Sequence, residues 1–143
     1  MMVEVPAIES AVGLVTIAAP SSTHHLANFL SGENPDIESL GQGEVEIGGR
    51  SHLLKRQLIE DLRGFDLESS IRKINVPHMI IHPPDDATLP YWHAEKIFEM
   101  TGGTASVLTL EGADHLLVKQ AGDVGFVATV VGAWFKRLRG LRD

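Results

Sequence analysis

The 143-residue chain contains no cysteine. That excludes disulfides, thiolate metal ligands and cysteine nucleophiles together, and makes a cytoplasmic location the simplest expectation. Nor is there an uncharged apolar run of roughly 18 residues, so no membrane crossing is expected. The opening Met1-Met2-Val3-Glu4-Val5-Pro6 has neither the basic region nor the apolar core of a secretory signal. Positive charge is scarce: 12 Lys and Arg stand against 19 Asp and Glu, a net charge of −7. The one basic cluster, Lys136-Arg137-Leu138-Arg139-Gly140-Leu141-Arg142, reads as the last turns of a helix, where cations suit the negative end of the dipole. A nucleic-acid groove needs a basic patch, so no nucleic-acid partner is expected. Repeats, low-complexity tracts and linkers are missing too, which leaves one domain over residues 1–143.

What is present is an ordinary globular mixture, 43% hydrophobic and 22% charged. Three short continuous apolar runs read as buried strands of a parallel sheet: 11–19, 76–82 and 105–110. Each ends in breakers, Pro20-Ser21-Ser22, Pro83-Pro84-Asp85-Asp86 and Glu111-Gly112-Ala113-Asp114. Helices are predicted over 55–64, 90–101 and 120–139. The last carries an apolar stripe of Phe126, Val127, Val130, Val131, Trp134, Phe135 and Leu138. Residues 41–54 read as a β-hairpin, with Val45-Glu46-Ile47 alternating and Gly48-Gly49 as the turn. The order predicts an α/β fold: a three-stranded parallel core with flanking helices and a hairpin insertion. The path of residues 21–54 outside the hairpin is not predicted.

Ligands in open α/β sheets sit beyond the carboxyl ends of the strands. His115 stands five residues past Leu110 on that edge, and Asp85-Asp86 follow the middle strand on the same edge. Neighbouring strands lie roughly 4.8 Å apart, so an aspartate from one and a histidine from the next can meet. An aspartate so placed can orient the imidazole and steady its charged form. Two plainer roles compete: the aspartates can cap the helix near Pro90, and His115 can be a loop histidine bonded to backbone.

Pro84-Asp85-Asp86-Ala87-Thr88-Leu89-Pro90 and Gly112-Ala113-Asp114-His115 together resemble the acid and histidine motifs of the α/β-hydrolase superfamily. The separation of 29 residues, with one helix and one strand between, also resembles that family. The resemblance covers nearly all of residues 3–138 and is to the C-terminal half of the family fold. Val45-Glu46-Ile47-Gly48-Gly49-Arg50, Gln57-Leu58-Ile59-Glu60-Asp61-Leu62 and Ala113-Asp114-His115-Leu116-Leu117 narrow it to a bacterial hydrolase subgroup often fused to an OsmC-like domain. The resemblance implies a serine esterase or acyl-hydrolase chemistry with Asp86 as the acid and His115 as the base. Pro83 stands where the acid motif has a glycine.

The family's third member, a serine in a G-x-S-x-G elbow, has no counterpart in these residues. Gly48-Gly49-Arg50-Ser51-His52 is nearest, and it falls in the predicted hairpin. The chain starts where the family would be finishing the helix after its elbow, and the early loop that contributes oxyanion donors is absent as well. The chain is therefore expected to be inactive alone, as a truncated hydrolase or as a non-catalytic module derived from one.

Ser21 and Ser22, just past the first strand, are the remaining nucleophile candidates, read first as turn and cap residues. The histidines His24, His25, His52, His78, His82 and His93 show no metal-ligand spacing, so neither metal nor cofactor is expected. Tyr91-Trp92 can line a pocket or cover a surface. Without an elbow strand beside it, the first strand becomes an apolar edge, which predicts a homodimer; a separate chain supplying the other half is the alternative partner.

Overall fold

A computed structural model describes residues 11–47 and 49–141. Gly48 of the expected turn, the opening Met1–Pro6 and Arg142 lie outside them. The first strand, β1 (Leu14–Ile17), is followed by helices α1 (Thr23–Glu33) and α2 (Asp36–Ser39). Next come the strands β2 (Gln42–Ile47) and β3 (Arg50–Lys55), then helices α3 (Arg56–Gly64) and α4 (Leu67–Arg72). The chain ends through β4 (His78–His82), α5 (Trp92–Met100), β5 (Ser106–Thr109) and α6 (Asp123–Arg139).

The strands β1, β4 and β5 form a three-stranded parallel sheet in the order β1-β4-β5, with Leu14 opposite His78 and Met79 opposite Ser106. The hairpin is a separate antiparallel pair in which Ile47 faces Arg50 across a two-residue turn. Gly49 there has φ +74°, which glycine tolerates without strain.

Strand β4 shows why the sheet is covered on both faces. Its alternating side chains feed two cores, Met79 and Ile81 into one and Ile80 into the other. On the first side lie Leu110, Ala113, Leu117, Val127 and, partly buried, Trp134 of α6. On the second lie Ile71 of α4 and Ala94, Ile97 and Met100 of α5. A third core is independent of the parallel sheet: Ala27, Leu30, Ile37, Val45 and Ile59 join α1, α2, β2 and α3.

Several expectations need correction. Only β4 is buried along its whole length; the edge strands β1 and β5 are half exposed, with Ile17 and Val107 each 43% accessible. Apolar continuity of sequence marks a parallel strand but does not tell a central one from an edge. Phe126 of the predicted stripe is 52% exposed, because the face of α6 that meets the sheet runs through Val127, Val130, Val131, Trp134 and Leu138. Helices α1, α2 and α4 were not anticipated. α1 carries few strong formers over Thr23–Glu33, and α2 and α4 span only four and six residues. Among the described residues no helix is long and apolar enough to cross a membrane.

Candidate active site

The loop after β4 and the loop after β5 leave the same edge of the sheet, and Asp86 and His115 meet between them. His115 Nδ1 donates to Asp86 Oδ2 at 2.7 Å. The carboxylate is fully buried, whereas the imidazole remains 27% exposed. The other carboxylate oxygen, Oδ1, accepts from the backbone N–H groups of Thr88 and Leu89, both at 2.8 Å. One aspartate thus builds its own turn and bonds the histidine; it does not cap α5, whose N-cap Tyr91 carries no side-chain capping bond. Burial by itself would raise the Asp86 pKa. The hydrogen bonds from Leu89, His115 and Thr88 outweigh it and hold the carboxyl below its usual range.

The His115 loop is constrained on both sides. Gly112 enters it at φ +77°, and a β-carbon there would come within 3.0 Å of the Gln120 amide. Asp114 Oδ1 accepts from Val118 N at 2.7 Å and Lys119 N at 2.8 Å, closing the turn that follows the histidine. Leu117 is held at φ +57°, an uncommon conformation for a residue without the freedom of glycine, with its side chain packed in the sheet–α6 core. His115 faces a cleft of about 440 Å³ shared with Asp85, Thr88, Gly112, Leu116 and Lys119.

Ser21 and Ser22 occupy other surroundings. Ser21 is buried, its N–H donating to His93 Nδ1 at 3.1 Å and its hydroxyl lying 2.9 Å from the same atom. The backbone donor fixes His93 Nδ1 as an acceptor. Burial, and secondarily the nearby His25 and His82, push the His93 pKa down to about 4. Ser22 stands at the N-cap of α1 with extended backbone, but its side chain makes no capping bond. It lines a different cleft, with Arg63 and Asp66. Trp92 stacks on His93 at 3.7 Å between ring centroids and meets His25 edge-on, covering this cluster while remaining 40% exposed. Tyr91 packs toward the α5 core and edge-on against His82. Among the described residues no group of three or more His, Asp or Glu could hold a metal ion.

The sequence reading passed over two features, the Ser21–His93 pair and the buried His82 behind Asp86. His93 follows Tyr91-Trp92 in a helix whose apolar spacing drew attention to Ala94 and Ile97 instead.

No family model matches the chain, and no curated protein sequence matches it. Solved structures do match. An esterase domain of a Rhodothermus marinus protein is 28% identical, with a TM-score of 0.67 over 87% of this chain and 51% of that one. A putative hydrolase from Agrobacterium vitis S4 is 23% identical, with a TM-score of 0.66 over 85% and 48%. Mouse α/β hydrolase domain-containing protein 10 is 16% identical, with a TM-score of 0.68 over 92% and 57%. Sheet order, strand-end acid and strand-end histidine are together similar to part of an α/β-hydrolase fold. The chain spans about half the length of the solved structures it matches.

Proposed function

We propose that these residues form the acid–base limb of an esterase-like serine hydrolase, complete in Asp86 and His115 and dependent on a nucleophile carried elsewhere. The observation that carries this reading is the 2.7 Å bond from His115 to a buried carboxylate whose second oxygen is already saturated by backbone. A histidine held through Nδ1 presents Nε2 as a base. It takes the proton of a serine hydroxyl as that oxygen attacks an acyl carbon, and returns it to the leaving group. Asp86 keeps the ring in the required tautomer and stabilises the imidazolium that forms. Ser21 is a poor substitute nucleophile, being buried and engaged by His93. The serine and the oxyanion donors would come from a segment bearing a G-x-S-x-G elbow, whether on a longer form of this chain or on a separate one.

Labelling with a fluorophosphonate tests the reading. The 143-residue chain alone should remain unlabelled, and mixing or fusing it with an elbow-bearing half should give a labelled serine on that half. The label should vanish when His115→Ala is used. Labelling of Ser21 or Ser22 in the isolated chain, or labelling of the elbow serine indifferent to His115, would overturn it.

A second reading has its own observation. Strand β1 is an edge of the sheet with Ile17 43% exposed, which suits pairing with a second copy. On this reading the chain is a non-catalytic dimeric module derived from a hydrolase.

A further inference from the structure

Close to Asp86 Oδ2, the oxygen that accepts from His115, sits a second histidine that the acid–base pair does not use. His82 is the last residue of β4 and is fully buried. Its Nε2 lies 2.9 Å from the carbonyl oxygen of Leu89 and 3.6 Å from Asp86 Oδ2. A carbonyl can only accept, so Nε2 carries a proton; Nδ1 is buried with no partner among the described residues. Tyr91 packs edge-on against the ring at 5.7 Å between centroids, limiting its rotation.

This places both backbone polar atoms of Leu89 under control. Its N–H is held by Asp86 Oδ1, and its carbonyl is held by His82. The seven-residue step from strand end to Leu89 is therefore closed twice, once by the carboxylate and once by the imidazole. We propose that His82 is a positioning residue: by fixing Leu89 it fixes the donors on Asp86 Oδ1, and so aims Oδ2 at His115. The unpartnered Nδ1 supports this over a purely stabilising role. An apolar side chain would fill the same space without leaving a buried polar atom unmet, whereas only a donor reaching Leu89 can close the loop.

The inference rests on the Asp86–His115 pairing, and one set of spectra separates the two. In histidine-labelled protein, the His115 Nδ1–H bonded to a buried carboxylate gives a downfield proton resonance and a defined nitrogen tautomer. The wild-type chain should show this signal and Asp86→Asn should lose it; a signal that is absent, or that survives Asp86→Asn, overturns the pairing and the inference with it. Two variants of similar polarity then test His82. In His82→Gln the amide nitrogen can reach the Leu89 carbonyl as Nε2 does, whereas in His82→Asn it stops short. The signal should persist in the folded Gln variant and be lost or strongly broadened in the folded Asn variant. A signal equally strong in both, or equally lost in both, overturns the positioning role while leaving the pairing intact. His82→Leu adds a check on simple destabilisation: it should lower the melting temperature and lose the signal, and keeping the signal in its folded fraction counts against the proposal.

Discussion

Each oxygen of Asp86 has a separate task, and this division explains how a carboxylate survives in the interior. Three donors, two backbone and one imidazole, compensate a charge that would otherwise cost several kcal/mol to bury. His93 solves the same problem in the opposite way, by remaining neutral. Its pKa is moved from 6.5 down to about 4 by burial, and the Ser21 N–H aimed at Nδ1 leaves no place for a proton there. The sign of the resulting pH dependence is definite. Between pH 6.5 and 4 the unfolded chain binds a proton at this residue that the folded chain does not, so stability is whole above 6.5 and falls as pH drops through that window. The loss can reach about 3 kcal/mol, at ~1.4 kcal/mol per pH unit. Asp86 adds a later loss: its folded pKa lies below 3.8, so its contribution is present above that value and disappears as pH falls through the lower one. Urea midpoints measured at pH 7.5 and 5 should therefore differ markedly, and His93→Gln should flatten the difference. An unchanged pH slope in that variant would remove His93 as the cause.

At the scale of elements, the turn that carries His115 depends on Gly112. At φ +77°, with the Gln120 amide 3.0 Å from where a β-carbon would sit, Gly112→Ala should cost about 1–2 kcal/mol in thermal or urea unfolding. It should also weaken the His115–Asp86 bond, and an alanine variant as stable as the parent would show that the turn has another way to form. This glycine explains which parts of the molecule were legible in the sequence. The strands at 14–17, 78–82 and 106–109 and helices α3, α5 and α6 lie within the predicted runs, and the hairpin overruns its own by one residue, Lys55, because their periodicity and breakers are local signals. Asp86 and His115 were legible for the same reason, each a short step past a strand. Helices α1 and α2 were not, since their burial comes from the third core, in which Ala27, Ile37, Val45 and Ile59 meet across long gaps in sequence, and α4 was not because its six residues bury Ile71 against β4 and α5. The partner of Ser21 was also hidden: a serine–histidine bond spanning 72 residues leaves no trace in either local segment.

For the molecule as a whole, the unshared edge of β1 bears on association. Strand β1 pairs on one side only among the described residues, and its Leu14-Val15-Thr16-Ile17 sequence suits further pairing. Sedimentation of the purified chain should give twice the chain mass if that edge meets its own copy, and Ile17→Lys should return it to a monomer. A wild-type monomer would remove the dimeric reading and leave the edge for a segment carrying the elbow. The remaining feature is the excursion between β1 and α4. It has its own core, and its two ends are tied together where the Thr23 hydroxyl donates to the Phe65 carbonyl at 2.7 Å. In topological terms it is a loop that leaves and rejoins the chain at one gate. Lengthening or shortening what lies beyond that gate changes a closure entropy of only about 0.6 kcal/mol per doubling of length. The register of the parallel sheet and the meeting of Asp86 with His115 are indifferent to it. Variation can therefore accumulate in residues 24–64 without passing through the scaffold that holds Asp86 and His115 together.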